Sequence, residues 1–97
     1  MKARLLAIAL SLLACAAQAA DLSRAVEIVE GKCFICHGVE GESSSPVFPR
    51  LAGQHAGYVA RQLADYQAGK RKNDTMQAMV ADLTADDFRL LGMYFKS

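Results

Sequence analysis

Cys33, Cys36 and His37 are the residues of this 97-residue chain that most clearly point to chemistry. They form a Cys-x-x-Cys-His sequence, and on a helical turn the positions i, i+3 and i+4 share one face. Side chains on one face can hold the edge of a single planar group. Two thiols can form thioether bonds to a porphyrin, and the adjacent imidazole can bind its iron from one side. The motif therefore predicts one covalently attached haem c.

Two other chemistries use a Cys-x-x-Cys pair, and the rest of the sequence argues against both. A thioredoxin-like redox pair needs no adjacent histidine and accompanies a βαβ pattern, which we do not find. A zinc site needs one or two further ligands. The remaining candidates are His55 and carboxylates, and none of them stands at a recognised zinc spacing. Haem attachment is the better prediction.

The first residues have the composition of a secretory signal peptide. Lys2 and Arg4 precede an apolar run, and Ala17-Gln18-Ala19 fits a cleavage site, so we expect a signal at 1–19 and export to the periplasm. The apolar run is shorter than the about 20 residues that span a bilayer. An alternative is a lipid anchor at Cys15, because the residues around it are similar to a bacterial lipoprotein box.

Residues 20–97 are expected to form one small domain without an internal repeat. Loss of Lys2 and Arg4 with the signal removes two of the 11 basic residues and leaves the 10 acidic ones, so the formal net charge falls from +1 to about −1. Such a chain lacks the basic surplus that nucleic acid binding requires. Because so short a domain buries little apolar surface by itself, we expect the chain without haem to be largely unfolded.

Apolar periodicity predicts an all-α fold. Helices are expected at residues 22–36, at 55–68 and from Thr84 onward, where the threonine hydroxyl can cap the last helix with Asp87 in its first turn. Glycine, serine and proline residues predict a loop over 38–53. On the first helix, the residues expected to lie on related faces are Ala25, Val26, Val29 and Cys33.

A second iron ligand has to approach from the opposite side of the haem, and Met76 and Met79 are the candidates. Both are expected in a loop after the second helix. A thioether is a soft ligand with no proton to lose, and it raises the reduction potential. A six-coordinate iron leaves no open position for a substrate, which points to electron transfer. Each methionine could instead fill the core. The polar turn before Met76 favours it as the ligand, whereas Met79 is expected to pack.

Four segments beyond this motif carry a family resemblance. They are Gly38 with Gly41, the stretch Phe48-Pro49-Arg50-Leu51-Ala52-Gly53-Gln54, Tyr58 with Gln62-Leu63, and Met76-x-x-Met79. Together with the motif they resemble class I c-type cytochromes, most of all the small bacterial single-haem group called cytochrome c-553 and one half of the two-haem periplasmic cytochromes. The resemblance implies a cytochrome c fold over residues 20–97, with a few helices wrapped around one haem, and it implies Met76 as the axial ligand.

The resemblance also implies roles for two loop residues. The carbonyl of Pro49 is expected to accept a hydrogen bond from the His37 imidazole and so to fix the orientation of the ring. Leu51 is expected to pack on the face of the haem. Ala25 is expected where the first and last helices cross.

Several polar residues have two interpretations. Arg50, Gln54 and Arg61 could hydrogen-bond the haem propionates, although a solvated surface position is the simpler interpretation. His55 is expected on the surface at the start of a helix. Lys70-Arg71-Lys72 could attract an acidic partner, or it could be a solvated turn.

The sequence thus predicts one-electron transfer by a His/Met-ligated haem in the periplasm. The expected partners are redox proteins: a quinol-oxidising complex or dehydrogenase as donor, and a terminal oxidase or reductase as acceptor. On this interpretation the chain is a carrier and not an enzyme. Two alternatives stay open: a haem subunit of a larger dehydrogenase complex, and a haem peroxidase or sensor whose methionine ligand dissociates.

Overall fold

The computed structural model describes residues 22–96, and within them it contains helices and turns but no strand. Helix α1 is described over residues 22–28 and runs directly into a π-helical turn at Val29–Cys33. The short helix α2, Phe34–His37, follows. The amide of Phe34 donates to the carbonyl oxygen of Val29 five residues earlier, which is the hydrogen bond of a π turn. The predicted all-α class is confirmed.

The helix predicted over 22–36 is present, but its segment Val29–Cys33 is a π turn. Apolar periodicity indicates a helix, but it does not report whether each amide bonds the fourth or the fifth residue before it. One predicted position on this helix is wrong. Val26 is 37% exposed, and Ile28 is buried instead. Ala25, Ile28 and Val29 stand at i, i+3 and i+4, which is the spacing of a single helix face.

Three further helices follow: α3 at Ala56–Ala68, α4 at Asp74–Val80 and α5 at Ala85–Phe95. A capping box starts α5. The hydroxyl of Thr84 accepts from the Asp87 amide at 3.1 Å, and the Asp87 carboxylate accepts from the Thr84 amide at 3.0 Å. The predicted cap at Thr84 is confirmed.

Helix α4 occupies the segment in which a loop was predicted for the two methionines. The side-chain oxygen of Asn73 accepts from the Met76 amide at 2.9 Å and caps the helix. Met76 and Met79 stand three residues apart on this helix and so share one face. A seven-residue helix is far below the about 12–15 residues that remain helical alone in water. Contacts with the rest of the fold must therefore hold α4 in place, and the local sequence does not predict it.

An apolar core cluster connects α1, the π turn, α3, α4 and α5. Leu91 is 1% exposed, and burial of such a side chain contributes about 2 kcal/mol. Ala25, expected at a helix crossing, is fully buried in this cluster together with residues of α5. The buried members of the core cluster are Ala25, Ile28, Val29, Val59, Val80, Leu83, Phe88, Leu90, Leu91 and Phe95.

Helix α5 makes two close connections to other helices. A Cβ atom on Gly92 would lie 2.3 Å from the carbonyl oxygen of Ala56, so the approach of α5 to the start of α3 requires glycine. The carboxylate of Asp87 accepts a hydrogen bond from Arg24 of α1 at 3.2 Å. Burial would raise the pKa of the Asp87 carboxyl, but the Thr84 backbone amide and the Arg24 guanidinium outweigh it and lower the pKa. Helix α5 thus fixes α1 and α3 relative to each other.

The signal peptide predicted at 1–19 and the alternative lipid anchor at Cys15 lie outside the described residues. Across residues 22–96, no helix combines the length and apolar character needed to cross a bilayer.

Candidate functional site

His37 is the buried polar residue at the centre of the candidate site. It ends α2, is 6% exposed, and its Nδ1 lies 2.8 Å from the carbonyl oxygen of Pro49. A carbonyl can only accept, so Nδ1 carries the proton and donates it. Nε2 is then the nitrogen whose lone pair is available to a metal. The contact that the resemblance implied between His37 and Pro49 is present in the structure.

The space around Nε2 is accessible. Within residues 22–96, Nε2 has no hydrogen-bond partner, whereas every fully buried side-chain nitrogen or oxygen there has one. Nε2 therefore does not face the packed interior. The ring of Phe48 meets the imidazole edge to face, with ring centroids 6.5 Å apart. The imidazole is thus held on one edge and open at the nitrogen that would bind iron.

Gly41 closes the loop that carries Pro49. Its carbonyl oxygen accepts from the amides of Leu51 and Ala52, at 2.8 and 3.0 Å. Gly41 has a φ of 75°, and a Cβ atom there would lie 2.7 Å from the Phe95 ring and 2.9 Å from the Ala52 nitrogen. Both the conformation and the space require glycine at this position.

Ser43 connects the two ends of the His37–Pro49 contact. Its amide donates to the His37 carbonyl at 2.8 Å, and its hydroxyl donates to the carbonyl of Phe48, the residue before Pro49, at 2.6 Å. Ser43 has a φ of 52°, a left-handed conformation that costs of order 1 kcal/mol in a residue with a Cβ. Sequence reasoning missed this role, because one serine among three in a loop has no distinguishing signal.

Both cysteines of the motif are free thiols and half-buried. Cys33 ends the π turn and packs against the core cluster, whereas Cys36 lies one turn further on in α2. Burial raises the pKa of the Cys33 thiol, and the neighbouring Lys32 partly offsets this. Neither sulfur is bonded to another residue, so both are free to form a thioether bond.

Several apolar side chains of the motif and of later segments are only partly buried. Leu51 and Met76 are half-buried, and both pack against the core cluster, as Cys33 does. Phe34 and Ile35, between the cysteines, are 42% and 76% exposed. So much apolar surface in a small domain is typical of a place where another group packs.

Met79 does not take the packing role predicted for it. It is 37% exposed and does not belong to the residues that pack against the core cluster. Met76 is the methionine of α4 that does. The two residues share a helix face, but Met76 lies in the first turn of α4, next to the Asn73 cap, and is the more buried of the two.

Two of the three residues suggested for the propionates are exposed, and Gln54 is half-buried. Arg50 is exposed, with Nη1 3.5 Å from the carbonyl oxygen of Glu42, and Arg61 is exposed on α3. Gln54 accepts from the amide of His55 through its side-chain oxygen at 3.0 Å. Propionate binding by these residues stays a prediction.

The polar turn after α3 is partly folded back onto that helix. Arg71 donates to the side-chain oxygen of Gln62 at 2.7 Å, and its guanidinium lies 4.8 Å from the Tyr66 ring centroid. Lys70 and Lys72 are exposed on either side of it. Docking of a partner at this turn stays a prediction.

These residues fit a haem. The motif offers one imidazole nitrogen and two free thiols beside the exposed side chains of Phe34 and Ile35. The flat apolar faces of a porphyrin suit such exposed apolar side chains. Within residues 22–96, no three His, Cys, Asp or Glu side chains are grouped to hold a metal ion. Fold and site together define a small helical domain built to hold a covalently attached haem.

The family model for cytochrome c matches residues 22–94, and the chain belongs to this family. Membership implies a covalently bound haem c, and Cys33 and Cys36 have the spacing that attaches it.

Individual relatives show the same similarity. Cytochrome c4 of Thiocapsa roseopersicina is 37% identical over 82 residues, which are 84% of this chain and 42% of the relative. The cytochrome subunit of sulfide dehydrogenase of Chlorobaculum tepidum is 33% identical over 69 residues, 71% of this chain and 62% of the relative. The crystal structure of reduced recombinant cytochrome c4 from Pseudomonas stutzeri superposes with a TM-score of 0.70 at 31% identity, over 79% of this chain and 47% of that one.

The chain spans less than half the length of the cytochrome c4 proteins that it matches. Cytochrome c4 is a two-haem cytochrome, so the resemblance to one half of such a protein is confirmed.

Proposed function

We propose that this chain is a one-electron carrier with a single haem c, attached at Cys33 and Cys36 and ligated by His37 and Met76. When bound, the haem supplies an iron that alternates between the ferric and ferrous states. The observation that carries the proposal is the hydrogen bond from His37 Nδ1 to Pro49 at 2.8 Å, which leaves Nε2 open for iron.

The chain's own residues orient the proximal ligand. Pro49 accepts the Nδ1 proton, which fixes the tautomer of His37 and the rotation of its ring. Its rigid φ near −65° suits this position, because the carbonyl must stay in place while the oxidation state changes. Ser43 ties the carbonyl of the preceding Phe48 to the same loop.

Two observations support Met76 as the distal ligand. Met76 packs against the core cluster, as do Cys33 and Leu51, which we propose packs on the haem face. The Asn73 cap also fixes the start of α4 immediately before it. A thioether favours the reduced iron and so raises the reduction potential. With a protein ligand on each side, the iron of a bound haem would have no open position for a substrate, so we assign electron transfer and no catalytic activity.

We further propose that the protein works in the periplasm, exported by the signal predicted at 1–19. Its partners are redox proteins, a quinol-oxidising complex or dehydrogenase on one side and a terminal oxidase or reductase on the other. The relatives with cytochrome c4 names fit a carrier of this kind.

A second candidate is a haem subunit of a larger dehydrogenase complex. The similarity to the cytochrome subunit of sulfide dehydrogenase favours it. Size-exclusion chromatography of a native extract separates the two functions, since a free carrier elutes at the size of its own chain, whereas a subunit co-elutes with its enzyme.

Paired leucine substitutions test the ligand assignment. A methionine–iron bond gives ferric cytochromes a weak absorption band near the red end of the visible spectrum. Met76→Leu should abolish this band, and the matched variant Met79→Leu should retain it. The opposite pattern would move the ligand to Met79. Tight binding of carbon monoxide by the unaltered ferrous protein at neutral pH would instead favour the sensor or peroxidase alternative, because it requires an iron that Met76 readily leaves.

A further inference from the structure

Side chains from other parts of the fold bind carbonyl groups at the C-terminal end of helix α4. The last four carbonyls of any α-helix lack partners within the helix. Gln67 of α3 donates through Nε2 to the carbonyl oxygen of Val80 at 2.9 Å and to that of Leu83 at 2.7 Å. One amide group thus holds both the end of α4 and the turn that follows it.

Lys32 binds the same end of α4 from the haem-attachment segment. Its Nζ donates to the carbonyl oxygen of Met79 at 3.2 Å and forms an ion pair with Asp82. The last turn of α4 contains no basic residue of its own. Lys32 therefore supplies the positive charge that stabilises a helix C-terminus. Because Lys32 directly precedes Cys33, this contact joins α4 to the segment that carries the haem thiols.

These contacts matter for Met76 because they hold the C-terminal end of the helix that carries it. Val80 is its one buried residue, and seven residues are too few for a stable isolated helix. Val80 follows Met76 by one helical turn, so a shift of the helix end is transmitted to the methionine. The position of the Met76 sulfur thus depends on Gln67 and Lys32, which bind the far end of the helix.

We propose that Gln67 and Lys32 are positioning residues that hold Met76 against the iron. This inference rests on the proposed function, since it requires Met76 to be the distal ligand. Without these residues, α4 moves away from the haem more often, and the fraction of molecules with an open sixth position increases.

The affinity of the ferric, haem-loaded protein for added imidazole measures the fraction of molecules with an open sixth position. Imidazole can bind only after the methionine has left, so its apparent dissociation constant falls as the open fraction rises. Gln67→Met and Lys32→Met remove the donors while retaining long side chains. If the lost hydrogen bonds have ordinary strength, each variant should bind imidazole about five- to tenfold more tightly than the unaltered protein. Two variants keep the test valid if one of them fails to fold.

Arg24→Gln is the matched control. It removes an ion pair with Asp87 that joins α1 to α5, and it leaves the bonds from Gln67 and Lys32 to the end of α4 in place. It should lower the thermal unfolding midpoint while leaving imidazole affinity within about twofold of the unaltered protein, because the bonds that hold the end of α4 remain. The proposal is overturned if both test variants bind imidazole like the unaltered protein, or if Arg24→Gln gains affinity to the same extent.

An absorption spectrum of the unaltered protein, recorded before the imidazole titrations, separates a failure of this inference from a failure of the proposed function. Absence of the red band in the unaltered protein would refute Met76 ligation itself. If the band is present and Met76→Leu removes it, the ligand assignment stands, and unchanged imidazole affinity in the two variants would refute only the positioning role.

Discussion

Replacing Gly92 with alanine should destabilise the protein, because the new methyl group meets backbone and not a flexible side chain. The added Cβ would lie 2.3 Å from the Ala56 carbonyl oxygen, whereas real Cβ contacts essentially never fall below 3.0 Å. Helices α3 and α5 must therefore move apart by about 0.7 Å, in a core whose overpacking costs about 1–3 kcal/mol. We take the upper end, because a carbonyl in the first turn of α3 cannot rotate away.

Replacing glycine with alanine also has a favourable effect on the stability of the helix. Alanine is better than glycine in a helix by about 0.5–1 kcal/mol, so the net loss for Gly92→Ala should be about 2 kcal/mol. For a domain of 60–100 residues, that loss lowers the unfolding midpoint by about 8–16 °C. Thermal unfolding of the haem-loaded protein, followed by far-ultraviolet circular dichroism, measures this shift.

Gly31→Ala is the matched control for this experiment. A Cβ atom on Gly31 would meet nothing within 4 Å, and the residue lies in the π-helical turn. Only the favourable effect of alanine on helix stability remains, so the thermal unfolding midpoint should rise by about 2–8 °C. An unchanged midpoint in Gly92→Ala, or an equal fall in both variants, would show that the close approach of α5 to Ala56 does not limit stability.

Three further predictions follow from contacts described above. The double variant Cys33→Ala, Cys36→Ala cannot hold haem covalently and should be largely unfolded, and a native helical circular dichroism spectrum would contradict this. Asp87→Asn should lower stability at pH 7. Because the pKa of Asp87 is lowered in the folded state, its carboxylate stabilises the protein above about pH 4, and the benefit is lost as the pH falls through the folded pKa. The deficit of the variant should thus shrink in acid, and a deficit constant from pH 7 to 2 would argue against a role for the charge. Ser43→Ala should lower the free energy of unfolding by about 1 kcal/mol, because the hydrogen bond to Phe48 is lost. An unchanged midpoint in chemical denaturation would contradict this prediction.

The features that could be predicted from the sequence depend on short spacings. The positions of Cys33, Cys36 and His37 are enough to propose haem attachment, since all three lie within one helical turn. The cap at Thr84 can also be predicted from the local sequence, because Asp87 stands three residues after it. The contact between His37 and Pro49 was expected only from the family resemblance, because Pro49 lies 12 positions after His37, at the far side of a loop.

The features that could not be predicted depend on contacts between distant residues. Helix α4 is too short for periodicity, and its anchors Gln67 and Lys32 lie in other elements. Nothing in the sequence around a glutamine or a lysine shows that its side chain will bind a distant carbonyl. The need for glycine at position 92 arises from the path of α3, which the local sequence of α5 does not contain.

The π-helical turn at Val29–Cys33 holds one residue more than the same stretch of α-helix would, because the Phe34 amide bonds the fifth and not the fourth residue before it. Deletion of Gly31 would turn this bond into an α-helical one and keep Cys33 in register with Ala25. One further inserted residue would instead rotate Cys33 and all that follows by about 100° around the axis relative to Ala25. The segment should therefore tolerate the loss of one residue better than the gain of one, and the unfolding midpoints of two such variants would show this.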